Sequence, residues 1–183
     1  NRLCLNMNKI INIMPMAGLG KRFLESNYKL PKPLIKIKKN PMFIEAFKSM
    51  PKSKSNIFIC NKKLINEFRI NKLISKKLKK KFKLIKVTKP TKGQANSCML
   101  ASRFLKTKKN IFIHSCDSLI KYDKLKLYNL MNNSDAVILT TKPNKIHLSN
   151  VNSYGWVSFR NNQINKITCK KRASSNPLKD NVI

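Results

Sequence analysis

Two glycines, an arginine and a lysine framed by prolines follow one another in IINIMPMAGLGKRFLESNYKLPKPL, the stretch from Ile10 to Leu34. Gly18 and Gly20 are two of only four glycines in 183 residues. A chain so poor in glycine places it where backbone must come close to something. Backbone N–H groups in a glycine loop at a strand end can turn inward together and hold phosphate oxygens. A side chain at either glycine would block that approach. Arg22 offers a planar fork of donors suited to phosphate. Pro31 and Pro33 bias Leu30 and Lys32 toward extended backbone, which stiffens Lys32 as a cation that reaches back to the loop. A lone G-x-G more often marks a plain turn. The ordered series of glycines, arginine and framed lysine favours a phosphate-handling site.

Asp117 is the first carboxylate after Glu67 in a chain with only seven Asp and Glu. A single acid at a strand end is a candidate ligand for Mg2+, which takes oxygen donors and keeps several waters, so that one or two carboxylates plus substrate phosphates complete its shell. The plain alternative is a helix cap or a loop acid. Gly93-Gln94-Ala95 joins a glycine to an amide that carries both donor and acceptor; its plain alternative is an ordinary helix start. Trp156, the only tryptophan, is more simply a core residue than a ligand contact.

The elements that must position these residues read as alternating strands and helices. Ile10 to Met14 is an apolar run of strand length that breaks at Pro15. Leu34–Ile37 reads as a short strand, and Pro41 opens a helix over Met42–Met50. Asn56–Cys60 reads as a buried parallel strand. Asn61 caps one helix that uses Leu64, Ile65, Phe68, Leu73, Ile74 and Leu78, with Lys76 to Lys81 as its wet face. Phe82–Val87 is the next strand, followed by a helix from Gly93 to Leu105. The strand Asn110–Ile113 leads to Asp117, then a helix over Tyr122–Met131 and a strand over Asp135–Thr141. Tyr154–Phe159 and Gln163–Cys169 form a hairpin about Asn161-Asn162. The alternation predicts an α/β fold, a Rossmann-like, mostly parallel sheet sandwiched by helices, with a late antiparallel hairpin. Ligands of such sheets bind at the carboxyl ends of the strands. The glycine loop, Gly93-Gln94 and Asp117 are therefore expected to converge on one crevice.

G-x-G-x-R followed by P-K-P resembles the signature of the sugar-phosphate nucleotidylyltransferases. The fuller PMAGLGKRF...PKPLI is similar to the branch associated with capsule and surface-polysaccharide precursors. The resemblance implies a nucleotidyltransferase domain over 7–183, incomplete at its C-terminus, after an extension over 1–6. It implies nucleotide binding by Ala17, Gly18, Leu19, Gly20, Gly93 and Gln94, with Gln94 facing the nucleobase. It implies catalysis by Arg22, Lys32 and Asp117, with Asp117 also the Mg2+ ligand. Tyr154-Gly155-Trp156-Val157 resembles the family's sugar-pocket segment, and Lys170 matches the lysine that holds the sugar phosphate. Cys169 stands where many relatives carry a glutamate, which leaves the identity of the sugar open. The implied substrates are a nucleoside triphosphate and a sugar 1-phosphate, with self-association left open.

The net charge of +33 would by itself suggest nucleic acid or an anionic membrane. The excess is nearly all lysine, beside abundant asparagine and isoleucine, which is the signature of an A/T-rich coding bias more than of a nucleic-acid footprint. The five cysteines are scattered with no C-x-x-C pair, which disfavours a disulfide framework or zinc site and fits reduced thiols in a cytoplasm. No run reaches the roughly 18 apolar residues of a membrane helix. Four readings stay open: a sugar-1-phosphate nucleotidylyltransferase, a nucleotidyltransferase for another phosphate acceptor, a non-catalytic nucleotide-binding domain, and a basic nucleic-acid binder. The last gives no reason for the glycine placement.

Overall fold

The computed structural model describes residues 9–18, 28–106, 109–161, 163–176 and 179–183. The chain divides into two compact units, Asn1–Tyr128 and Asn129–Ile183.

The first unit is built on a four-stranded, all-parallel sheet. Its strands are β1 (Ile10–Met16), β4 (Ser55–Asn61), β5 (Lys83–Val87) and β6 (Asn110–Ile113), in the order β5-β4-β1-β6. A two-residue hairpin of β2 (Lys36–Ile37) and β3 (Asn40–Pro41) stands apart from it. The helices of this unit are α1 (Met42–Ser49), α2 (Lys62–Asn66), α3 (Ile70–Leu78) and α4 (Gln94–Met99), and α5 (Lys124–Asn133) carries the chain into the second unit.

Alternation along the strands sends apolar side chains to both sheet faces. Ile11, Ile13, Ile57, Ile59, Ile85 and Val87 pack with Cys98 and Ala101, from and just beyond α4. On the other face Phe58, fully buried, meets the rings of Phe43 and Phe47 of α1 at 6.4 and 5.3 Å and Phe82 at 5.9 Å. That face also holds two polar residues in register, Asn12 and Asn56. The Asn12 amide donates to Pro51 O (2.8 Å) and to Asn56 Oδ1 (3.2 Å), which ties the 51–55 loop to the sheet. Both amide nitrogens and Asn56 Oδ1 are bonded, while Asn12 Oδ1 is buried without a partner among the described residues.

The strand order places a topological switch point between β1 and β6: the chain steps outward from β1 to β4 and β5, then returns to β1's other side. Pro15 does not end β1, which runs on to Met16. The His114 N–H donates to Ile13 O (3.1 Å), so Ile13, and Pro15 two residues on, turn their backbone toward β6. By Pro15 the β6 ladder has ended, so its missing N–H costs no bond.

Other expectations are corrected. Leu34–Ile37 is not one strand: Lys32–Leu34 is a 3-10 turn and only Lys36–Ile37 pairs. The helix after Asn61 is two helices, because Arg69 adopts a left-handed backbone (φ 46°) between them. Asn61 does cap the first, accepting from Leu64 N (2.9 Å). The helix from Gly93 stops at Met99 and gives way to a 3-10 turn at Ser102–Phe104. Asp135–Thr141 is not a strand: only Thr141 bridges, to Val182. An apolar run makes a strand only where an edge is available to pair it.

The second unit holds α6 (Lys145–Ser149) and an antiparallel sheet in the order β8-β7-β9, of β7 (Gly155–Arg160), β8 (Gln163–Cys169) and β9 (Asn181–Val182). Its core is Trp156, Ala173 and Val182. Trp156 is fully buried and its indole N–H donates to Val151 O (3.1 Å), which satisfies the polar end. It is a core residue.

Candidate active site

Four chain segments of the first unit end around a cavity of about 530 Å3 at the carboxyl ends of the strands. Ala17 and Gly18 arrive from β1, Lys32 from the proline segment, Gly93 and Gln94 from the start of α4, and Asp117 from the loop after β6. Leu19, Gly20 and Arg22 lie outside the described residues.

Gly18 is exposed, and a Cβ there would meet nothing within 4 Å among the described residues. Gly18 O accepts from the Asn61 amide (3.4 Å), so the carbonyl is turned to β4's end. Gly93 has φ 139° and ψ −179°, a backbone region closed to residues with a Cβ. Its carbonyl accepts from Ser97 N, Ser97 Oγ and Thr91 Oγ1 (3.1–3.3 Å), and the two hydroxyls lie 2.6 Å apart. Thr91 and Ser97 thus fix the glycine that opens α4, and both line the cavity. Sequence reasoning passed over them, although their spacing of two before and four after Gly93 was the available sign. Gly93→Ala is expected to destabilise the fold by about 1–3 kcal/mol through backbone strain alone, read from chemical denaturation.

Lys32 is not extended, as its place before Pro33 suggested. It opens a 3-10 turn in which Leu34 N and Ile35 N donate to Pro31 O (2.8 Å) and Lys32 O (3.2 Å). Pro33 needs no donor at that point, and the burial of Pro33 and Leu34 anchors the turn. The Lys32 ammonium forms an ion pair with Asp117 Oδ2 across 85 residues of sequence.

Asp117 sits in a tight turn whose ends are clipped together. His114 Nε2 is 2.8 Å from Ser118 O, and the hydroxyls of Ser115 and Ser118 are 2.9 Å apart. Burial works to raise the Asp117 pKa, but hydrogen bonds from Lys32 and Ser115 and the charge of Lys32 outweigh it, and the carboxyl titrates below its usual 3.8. The pair therefore favours the folded state above that value and loses this contribution as pH falls. Among the described residues no three His, Cys, Asp or Glu gather as a metal site. Asp117 is a single hard-oxygen donor, and it fits Mg2+ only where phosphate oxygens and water supply the other positions.

His114 and Ser115 are further residues that the sequence reading did not single out. Burial lowers the His114 pKa from 6.5, against the opposing pull of Ser118 and the Asp117 charge. The unfolded chain thus binds a proton that the folded one refuses. As pH falls from about 7 to about 5 the wild type is expected to lose melting temperature faster than His114→Gln; parallel curves from thermal scans would contradict this.

Gly155 and Lys170 belong to the second unit. Gly155 pairs with Cys169 in the β7–β8 ladder, and the N–H of Lys170 donates to Tyr154 O (2.9 Å), so the two are neighbours. Lys170 is left-handed (φ 59°) and turns the chain out of β8.

No protein-family model matches the chain, and no curated protein matches it either. Solved structures do. A nucleoside-diphosphate-sugar pyrophosphorylase from Vibrio cholerae RC9 matches with a TM-score of 0.70 at 16% identity, over 94% of this chain and 70% of the other. An inositol-1-phosphate CTP transferase from T. maritima matches with a TM-score of 0.69 at 14% identity, over 96% and 68%. A UTP-bound UGPase from Acinetobacter baumannii matches with a TM-score of 0.67 at 18% identity, over 96% and 72%. With its parallel sheet flanked by helices and its added antiparallel strands, the chain has the fold of these nucleotide-sugar pyrophosphorylases and nucleotidyltransferases.

Proposed function

We propose that the chain is a nucleotidyltransferase that joins a nucleoside triphosphate to a sugar 1-phosphate, giving a nucleoside-diphosphate sugar and pyrophosphate. The observation that carries this reading is the meeting of Gly18, Gly93-Gln94 and the Lys32–Asp117 pair around one cavity at the switch point. The shared fold supports it.

A sugar-phosphate oxygen attacks the α-phosphorus in line. The new O–P bond forms as the bond to the bridging oxygen breaks, and pyrophosphate leaves with that electron pair. No covalent enzyme intermediate is needed, so the residues act by positioning and by neutralising charge. The backbone from Gly18 to Gly20 donates to the triphosphate, with Ala17 and Leu19 flanking it. Arg22 takes charge developing on pyrophosphate. Gln94 reads the base edge. Lys32 exchanges its Asp117 partner for the α-phosphate. In the second unit, the resemblance assigns the sugar phosphate to Gly155 and Lys170. Asp117 would hold Mg2+, which when bound supplies charge neutralisation across the phosphates.

The reaction is read as cytoplasmic, in keeping with free thiols at Cys60, Cys98, Cys116 and Cys169, and as a source of surface-polysaccharide precursors. No described helix is long and apolar enough to cross a membrane. The test is a panel of sugar 1-phosphates, polyol phosphates and choline phosphate against the common nucleoside triphosphates, read by pyrophosphate release. Release with a sugar 1-phosphate is expected. Release only with a polyol or choline phosphate would move the chain to the second reading, which an inositol-1-phosphate transferase among the structural neighbours keeps in view. Silence with every pair would contradict both.

A further inference from the structure

We propose that the chain carries a second anion site, at the amino ends of the parallel strands, built to hold a small diphosphate-bearing ligand. A cavity of about 630 Å3 lies there. Its walls come from the starts of β1 (Ile11), β4 (Ser55 to Ile57) and β5 (Lys83), and from the residue before β6 (Lys109). The cavity at the switch point takes the other ends of the same strands. A seven-residue strand such as β4 separates the two by about 20 Å. The second cavity is therefore no subsite of the first.

Its chemistry is cationic. Lys54, Lys80, Lys81, Lys83 and Lys109 supply five of the eleven lining residues, and no carboxylate is among them. All five are exposed, so their charges stand together at the rim of the cavity. Among the described residues Lys54, Lys80, Lys81 and Lys83 form no ion pair. Lys80 and Lys81, which the helical pattern assigned to a wet face, lie past the end of α3 and turn to this cavity.

The site is also shaped. Its floor is apolar, with Ile11 and Ile57 buried at 4% and 3%. Phe104 forms one wall, and the Lys83 ammonium lies 4.2 Å from its ring centroid, which holds that cation in place. A half-open, apolar-floored bowl of this volume falls in the size range of small-ligand sites. Lysines act as separate point charges and do not make the fork of an arginine. Several of them around one bowl suit an anion with charge spread over two phosphates. The Phe104 face is already covered by Lys83, so recognition falls on the diphosphate, whether free or on a nucleoside.

Amide NMR of the intact chain tests this with pyrophosphate as the probe and ADP as a second arm. Pyrophosphate is expected to shift the amides of Ser55, Asn56 and Ile57, separately from any response at Gly18 and Gly93. Lys54→Ala/Lys81→Ala is expected to weaken the Ser55–Ile57 response by about tenfold. Equal responses to pyrophosphate and ADP assign recognition to the free diphosphate, and a stronger one to ADP assigns it to the nucleotide; both uphold the site. Lys72→Ala/Lys76→Ala, on exposed positions of α3, is the charge-matched control and should leave the response unchanged. An equal loss in that control would reduce the effect to the net charge of +33 and overturn the proposal. So would unmoved Ser55–Ile57 amides at millimolar pyrophosphate, or tighter binding there of a single-stranded oligonucleotide than of either diphosphate. A silent Gly18–Gly93 set beside a responding Ser55–Ile57 set would count against the nucleotidyltransferase reading alone.

Discussion

Turnover falls by about a thousandfold or more when Asp117 is replaced by alanine, while the fold survives. Among the described residues the carboxylate is the one acid lining the cavity, and in the proposed reaction it is a protein ligand of Mg2+. Its side chain is 31% exposed, so its removal opens no sealed void, and the cost falls on chemistry more than on packing. The Lys32 ammonium can still meet phosphate in this variant, so the loss is expected in turnover. Asp117→Asn keeps the shape and removes the charge, and it is expected to fail as badly. Pyrophosphate release measures the first effect and a thermal scan the second. Either variant within tenfold of wild type would remove Asp117 from the proposed machinery.

Phe58→Ala is expected to cost about 3–5 kcal/mol, a large share of the roughly 5–15 kcal/mol that holds a domain together. Phe58 is fully buried on the central strand β4 and is the ring that Phe43, Phe47 and Phe82 all meet. Its loss leaves a void that α1 cannot close without moving off the sheet. At about 2–4 °C per kcal/mol for a chain of this size, the melting temperature should fall by roughly 10 °C or more. A fall of one or two degrees would mean that α1 collapses onto the sheet and that this face is more plastic than its ring contacts imply.

The parallel strands were legible because each is an apolar run bounded by polar residues, as at Asn56–Cys60 and Asn110–Ile113. Their order was not, since hydrophobic period carries no information on which strand neighbours which. Convergence at the strand ends was still legible, because parallel α/β sheets put their ligand loops on one edge. Gly93 was singled out with Gln94 as a glycine–amide pair past a strand end, and it proves to need its positive φ. The misses have local causes. Arg69 is left-handed without being glycine or asparagine, so nothing in its type announces the break between α2 and α3. Asp135–Thr141 has the composition of a strand but only one bridge, and pairing is a tertiary fact. The Thr91–Ser97 clasp and the His114–Ser118 clip are hydrogen bonds between common polar residues, whose types recur at many turns.

The most direct test of the site is a crystal structure of the chain with a nucleoside triphosphate and Mg2+ bound. Phosphate oxygens are expected against the Gly18 backbone, the base beside Gln94, the metal on Asp117 and the Lys32 ammonium turned from Asp117 to the α-phosphate. A triphosphate bound elsewhere, with the Lys32–Asp117 pair intact and this cavity empty, would contradict it.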